Sequence, residues 1–557
     1  VMLTVGGVGL AVLASLSWPL LDRLDIVLPW LPAALLGAAM FATAPLIARR
    51  VEHPTTDKGL AFWLAGAAEL AFLSIHAAIP AHLEAVAFAV AALVLGAAAG
   101  RLNWRGLAQI TVLSGLLTLV VLFRPEFISA ALEGRLPLPV ALAVSIGAAA
   151  LLGVSARLMR NHVVPDRNTV EAQTTAALLT LLTGLFIGLH VILSGVQTGV
   201  ASGELFAATM RTLLLLAAGL LLAVRRGADE GPIAKWRAII LTGLGILHGL
   251  LAQGLVLNPW WGLGDAPVGL PVLNTLILSF LAPAALLALS ARRRQPADEW
   301  TRIQAVVGAL FAFLWVLLVV RHLFHGAAMN EAGIGRAESA AYAALLLLTA
   351  RLIAAAARTG WTRTLGVVLG WAALAASVIV FGYAASPWWG PLNAPLASLP
   401  HVLLLFALYA AGAALTFGMR DKPDGLGKTA KAITVGILFV LLTLVIRWAF
   451  HGVALNGAAP GSGLETWAFS TLWAAFGLAT LSLGTIHRDA TLRWAGLIVL
   501  LVTAVKVLFF DLSQLQGVVR AASFLVVGAL FLAGALAARR LSRTARPSAD
   551  ADETETP

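Results

Sequence analysis

An arginine and a histidine four residues apart, at the close of a long apolar run, occur twice in this chain. Arg321-His322-Leu323-Phe324-His325-Gly326-Ala327-Ala328-Met329-Asn330 returns as Arg447-Trp448-Ala449-Phe450-His451-Gly452-Val453-Ala454-Leu455-Asn456, and the two share Arg-x-x-Phe-His-Gly-x-Ala-x-Asn. On a helix, residues four apart lie on one face. Each pair therefore sets a permanent cation beside a group that titrates near neutrality, a combination that can grip an anion or move a proton. The apolar run after each motif opens with a carboxylate, Glu338 and Glu465. His76 with Glu84 and His190 with Glu204 hold comparable places earlier in the chain. The expectation is that each glutamate faces the arginine or histidine of the preceding helix across a short loop. Two readings stay open: an ion pair that locks two helices, favoured by the helix dipole at a first-turn glutamate, or a polar site at membrane depth, where charges are costly and mark function.

A second group is Lys506, Asp511 and Arg520. Lys506 lies one to two turns inside the end of its helix, Asp511 ends that helix, and Arg520 opens the next. A buried lysine needs a carboxylate, which Asp511 or a glutamate from elsewhere supplies. As a functional group, Lys506 would be proton-linked or anion-binding, because lysine pKa values move readily on burial. Two Pro-Trp-Trp-Gly loops bring Trp260, Trp261, Trp388 and Trp389. Tryptophan gathers at membrane interfaces, and exposed aromatics also suit partner docking. His322 and His325 are only two ligands, with no cysteine or nearby aspartate to complete a set. No metal site and no cofactor is expected. No Walker loop, His-Glu-x-x-His or Gly-x-Ser-x-Gly with partners occurs. His248, His401 and the costlier Glu69 read as residues of apolar helices.

The elements that must position these residues follow from composition. The 557 residues are 60% hydrophobic and 12% charged, against about 25% charged in ordinary soluble domains. Apolar runs of about 20 residues, enough to cross a bilayer as a helix, recur from end to end. The fold class is all-α, a polytopic integral membrane protein. Eighteen candidate helices fall at about 3–20, 26–48, 59–79, 83–99, 103–123, 137–157, 170–195, 203–224, 235–256, 269–290, 301–326, 337–358, 363–384, 398–418, 428–452, 465–486, 491–511 and 518–539. Cysteine is absent, which removes disulfides and thiolate chemistry together. The net charge of +11 sits in short loops, so it reads as topology and not as nucleic-acid binding. The sequence opens on Val1, not Met, with no polar segment before the first apolar run, so a cleavable signal peptide cannot be argued from these residues.

Internal similarity groups the helices in fours. Asn258-Pro259-Trp260-Trp261-Gly262 matches Ser386-Pro387-Trp388-Trp389-Gly390, Leu270-Pro271 matches Leu399-Pro400, and fainter landmarks such as Arg124-Pro125 extend the pattern backward. The expected units are residues 1–100, degenerate, then 101–228, 229–360 and 361–488, then a C-terminal helix pair at 489–543 and a disordered acidic tail at 544–557. Four crossings return the chain to its starting side, so the copies share one orientation, unlike inverted-repeat transporters. The loops on one face hold 29 of the 38 lysines and arginines. The positive-inside rule makes that face cytoplasmic, with both termini inside, and puts the tryptophan and histidine loops outside.

Lys506-Val507-Leu508-Phe509-Phe510-Asp511-Leu512-Ser513-Gln514-Leu515, followed by Arg520 and Ser523-Phe524, resembles the signature of a large bacterial family of many-helix membrane proteins, domain of unknown function 2339. The resemblance implies a many-helix fold in a bacterial inner (cytoplasmic) membrane. It implies no reaction and carries over no catalytic residue. The functional expectation is a protein that transports or handles a lipid or another cell-envelope component through an outward-facing polar site. The alternatives are a membrane-embedded enzyme on a lipid-linked substrate, with Glu338 or Glu465 as base, and a non-catalytic scaffold docking a periplasmic protein partner. Membrane lipids are partners in every case.

Overall fold

The computed structural model describes residues 30–160, 167–196, 202–224, 231–261, 264–293, 298–331, 333–356, 360–391, 395–422, 425–457 and 463–511. Two compact units divide the chain, Val1–Glu331 and Ala332–Pro557. The first contains α1 (Leu31–Ala48), α2 (Lys58–Ala78), α3 (Glu84–Leu102), α4 (Arg105–Leu122), α5 (Pro125–Leu132), α6 (Leu138–Arg160), α7 (Arg167–Ser194), α8 (Glu204–Val224), α9 (Pro232–His248), α10 (Ala282–Arg293) and α11 (Glu299–His325). The second contains α12 (Arg336–Ala356), α13 (Gly360–Ile379), α14 (Leu399–Phe417), α15 (Leu426–His451), α16 (Gly463–Ile486) and α17 (Ala490–Lys506). The protein is an all-α polytopic membrane protein. Fifteen of its described helices are long and apolar enough to cross a bilayer.

Burial follows the logic of a lipid solvent. Small residues face inward: Ala67, Ala85, Ala89, Ala92 and Ala148 are buried, as are Thr111, Ser114 and Ser145, while Leu35, Val94, Leu255 and Leu352 stand exposed. Without a hydrophobic drive between helices, close backbone approach and interhelical hydrogen bonds hold a bundle together. Ser114 Oγ donates to Phe88 O at 2.7 Å and Ser155 Oγ to Ala92 O at 2.7 Å, tying α4 and α6 to α3. Three helices start with aspartate caps: Asp57, Asp298 and Asp489.

Sixteen of the eighteen expected helices fall on described residues, and each of the sixteen is helical. The expected helices at 3–20 and 518–539, the tail at 544–557 and Arg520 lie outside the described residues. One boundary needs correction. Residues 269–275 are not helix: Gly269 and Asn274 form an antiparallel bridge, and helical winding begins only at Leu276 and Ile277. Pro271 and the glycine at φ +126° in position 269 favour that turn over a helical start. The short α5 was not anticipated. Pro125 opens it, its missing N–H costing nothing at a first helical position.

Four segments wind with π-helical hydrogen bonding: Gly249–Val256 after α9, Ile277–Leu281 before α10, Val380–Ala384 after α13 and Val507–Asp511 after α17. At Val380–Ala384 the buried Tyr409 hydroxyl takes up the Phe381 carbonyl at 2.9 Å.

Candidate functional site

In the second unit, α15 ends in Arg447 and His451 and α16 begins with Glu465. Arg447 and Glu465 are 2% and 1% exposed. Arg447 Nη1 donates to Glu465 Oε1 at 2.9 Å, and His451 Nε2 lies 2.8 Å from Glu465 Oε2. Arg447 also donates to the carbonyls of Leu455 and Asn456, at 3.4 and 2.8 Å, and its guanidinium lies 4.8 Å from the Trp388 ring centroid. Glycine shapes the loop that supplies those carbonyls. Gly452 has φ +57° and ψ −125°, a conformation that side chains with a Cβ avoid.

α11 ends in the same way within the first unit. Arg321 is 1% exposed. It donates to Met329 O at 2.9 Å and to Glu331 O, meets His325 Nε2 at 2.7 Å, and lies over Trp260 at 5.4 Å. Gly326 has φ +57° and ψ −132°. The preceding Pro-Trp-Trp loops also correspond: each follows a π turn, and Asn258 Oδ1 and Ser386 Oγ accept from the amides of Trp260 and Trp388. The first tryptophan of each pair covers an arginine. The second, Trp261 or Trp389, is exposed and donates back to the π turn, to Leu255 O or Gly382 O.

Glu338 is buried in the first turn of α12 and accepts from Tyr342 Oη at 3.1 Å and from the Gly335 amide at 3.3 Å. Glu84, 1% exposed at the start of α3, repeats the α15–α16 arrangement with a different arginine. His76 Nδ1 lies 2.8 Å from Oε1, and Arg124 Nη1 donates to Oε2 at 2.6 Å. Sequence reasoning matched Glu84 with His76 but missed Arg124. The available signal was its place at the end of an apolar run, directly before Pro125.

Lys506, half-buried at the end of α17 against α16, donates all three ammonium protons: to Thr466 O at 2.9 Å, Ser470 Oγ at 2.7 Å and Asp511 Oδ1 at 2.7 Å. Ser470 Oγ donates to Asp511 Oδ2. On an α-helix, residues five apart would diverge by about 140°. The π turn Val507–Asp511 brings them onto one face. A family profile described as Predicted membrane protein (DUF2339) matches residues 3–380 and 338–541, the signature at Lys506 among them. The chain belongs to this family. No curated protein and no solved structure matches this DUF2339 protein significantly.

An aromatic column joins the two cationic clusters of the second unit. Trp388 stacks on Phe469 at 5.2 Å, Phe469 meets Trp473 at 6.1 Å, and Lys506 Nζ lies 6.0 Å from the Trp473 ring. Ring faces attract cations in the absence of water, so Arg447 and Lys506 sit at two points of one column. Glu204 departs from the expected pattern. It is exposed at the start of α8 and has no hydrogen-bond or ionic partner among the described residues. Asp265 instead accepts from the neighbouring Leu205 amide at 3.0 Å. His190 meets Arg211, on α8, at 2.9 Å. His401 is exposed at the start of α14 beside Ser398, not within an apolar interior.

Proposed function

We propose that this DUF2339 protein handles a membrane lipid, holding one acyl chain beside a polar cluster at the outer rim. One observation carries the reading: a groove of about 470 Å³ between α2 and α3, closed on one side by Phe41 of α1. Ala68, Phe72 and Ile75 of α2 and Ile79 just past its end face Ala87, Ala91 and Val94 of α3 across it, and its lining is almost wholly apolar. From residue 68 to residue 79 a helix rises about 16 Å, roughly half the ~30 Å hydrocarbon thickness, so the groove matches one leaflet. His76 shares a helix face with Phe72 and Ile79 and stands at that end with Arg124 and the buried Glu84. Apolar wall and polar end together match an amphiphile.

The test is lipid mass spectrometry on the purified chain, with Ala91→Phe as the variant that fills the groove. The expected result is at least one tightly held lipid per wild-type molecule, reduced several-fold in Ala91→Phe at unchanged melting temperature. Equal lipid retention in a folded Ala91→Phe sinks the reading.

The same proposal places the protein in a bacterial inner membrane with both termini cytoplasmic, supported by the arginine-rich loops. It takes the four-helix units as same-facing repeats, supported by the matching geometry at Arg321 and Arg447. Thiol labelling of single cysteines placed at Leu83 and Arg160 tests the sidedness. Reaction from the same side of sealed vesicles overturns it.

A further inference from the structure

We propose that Arg211 and His190 form an oxyanion-binding site within the first unit, for a carboxylate-like or phosphoryl group. The argument is independent of the lipid groove. At Glu84 and at Glu465, one arginine and one histidine grip the two oxygens of a single buried carboxylate. Between α7 and α8 the same two bases touch each other, Arg211 Nη2 to His190 Nδ1 at 2.9 Å. Among the described residues no carboxylate pairs with either. Glu204, in the first turn of α8, is turned to the outside.

The chemistry of that contact points to an acceptor. Arginine has five N–H donors and cannot accept, so His190 Nδ1 is the acceptor and the ring is neutral with its proton on Nε2. That proton and the remaining guanidinium N–H groups are donors in search of oxygen atoms. Arg211 is seven residues into α8, about 10 Å below the helix start, and is half-buried. A cation at membrane depth costs about 2.5–3.5 kcal/mol on insertion scales. Beside it Thr212 and Thr209 lead into a polar seam with His248 and Ser279, at 2.8 Å each. Planar guanidinium forks match carboxylate and phosphate geometry.

The experiment is thermal unfolding of the full chain in nanodiscs, read against inorganic phosphate at constant ionic strength set with chloride. A second arm compares phosphatidylglycerol with phosphatidylcholine discs. The expected result is a melting temperature raised by several degrees, by phosphate if the oxyanion is free or by phosphatidylglycerol alone if it is a headgroup. Arg211→Gln removes that response, weakening apparent affinity at least tenfold, and leaves the oxyanion-free melting temperature unchanged or higher, because it deletes an uncompensated cation. Arg211→Lys keeps part of the response, and His190→Phe loses most of it. Wild type that responds to neither probe overturns the site. So does a folded Arg211→Gln or His190→Phe that responds like wild type, which would make Arg211 a side chain merely reaching for the interface.

Discussion

Replacing Glu465 by leucine should destabilise the second unit severely, and replacing Arg447 as well should restore most of the loss. The substitution takes the Glu465 carboxylate away from Arg447, which is 2% exposed. The carbonyls of Leu455 and Asn456 and the Trp388 face remain, but none carries a negative charge. Breaking a buried ion pair by removing one partner costs about 3–5 kcal/mol. For a unit of the size of Ala332–Pro557 each kcal/mol moves the melting temperature by about 2–4 °C, so Glu465→Leu should lower it by about 6–20 °C. Arg447→Met alone takes the guanidinium away from the buried Glu465 and should cost a similar amount. A buried pair exchanged for apolar residues of similar volume is often neutral. The double variant Arg447→Met/Glu465→Leu should therefore melt near wild type, and the single losses should fail to add by about 3 kcal/mol or more. Differential scanning fluorimetry of the four proteins in one detergent closes the cycle. Additive losses, or a Glu465→Leu loss below about 1 kcal/mol, would refute the claim that this contact is a sealed, desolvated pair.

Gly452→Ala should cost about 1–3 kcal/mol although a methyl group there meets nothing within 4 Å. The penalty is backbone strain at φ +57° and ψ −125°, so Gly452→Asn, tolerant of the left-handed helical region but not of this ψ, should not rescue melting temperature. Gly496→Ala should cost about 1–3 kcal/mol for the opposite reason: its Cβ would lie 2.6 Å from Leu481 N and 2.9 Å from Gly477 O, and unfolding in denaturant should show a lowered midpoint at constant slope. Asp489 is held below its ordinary value of 3.8 chiefly by the Lys431 hydrogen bond, with help from the Leu492 and Thr491 amides. A depressed carboxylate stabilises above its unfolded pKa and loses that contribution as pH falls through the folded value. Melting temperature should thus be indifferent to this group between about pH 5 and 8 and drop below about pH 4, and Asp489→Asn should flatten part of that acid limb.

Much of this architecture was legible before any coordinates, because a bilayer permits few answers. Apolar runs located the helices to within a few residues, and Lys506 with Asp511 were expected partners. What escaped was whatever depends on hydrogen-bond registration or long-range approach. Nothing in Gly249–Val256 or Val507–Asp511 distinguishes a π turn from an α turn by composition, since both satisfy the backbone internally. Trp260 and Arg321 are 61 positions apart, and no local pattern shows that one ring covers the other cation. Arg124 was hidden for the same reason: its partner Glu84 belongs to the helix before the one it follows. Glu204 was misplaced by analogy, since position at a helix start does not decide which way a side chain turns once Asp265 supplies the carboxylate at the neighbouring amide.

The number of protein acceptors around each cation separates structural charges from the one that invites a ligand. In lipid no water stands by to complete a hydrogen-bond set, so a locking charge must be saturated by the chain itself. Lys506 spends all three protons on protein oxygens. Arg447 reaches two carbonyls, a carboxylate and an aromatic face, and Arg321 two carbonyls, a histidine and an aromatic face. Such groups have little left to offer a substrate, and opening them would cost the desolvation already met in folding. This weighs against Arg321, Arg447 and Lys506 as binding groups in themselves. It assigns them to fixing helix ends, with His325 and His451 at the accessible edge. Among the described residues Arg211 makes one hydrogen bond, to a neutral histidine. Beside the saturated Arg321, Arg447 and Lys506, Arg211 is incomplete among the described residues, and a diffusible or lipid-borne oxyanion is the simplest chemistry that completes it.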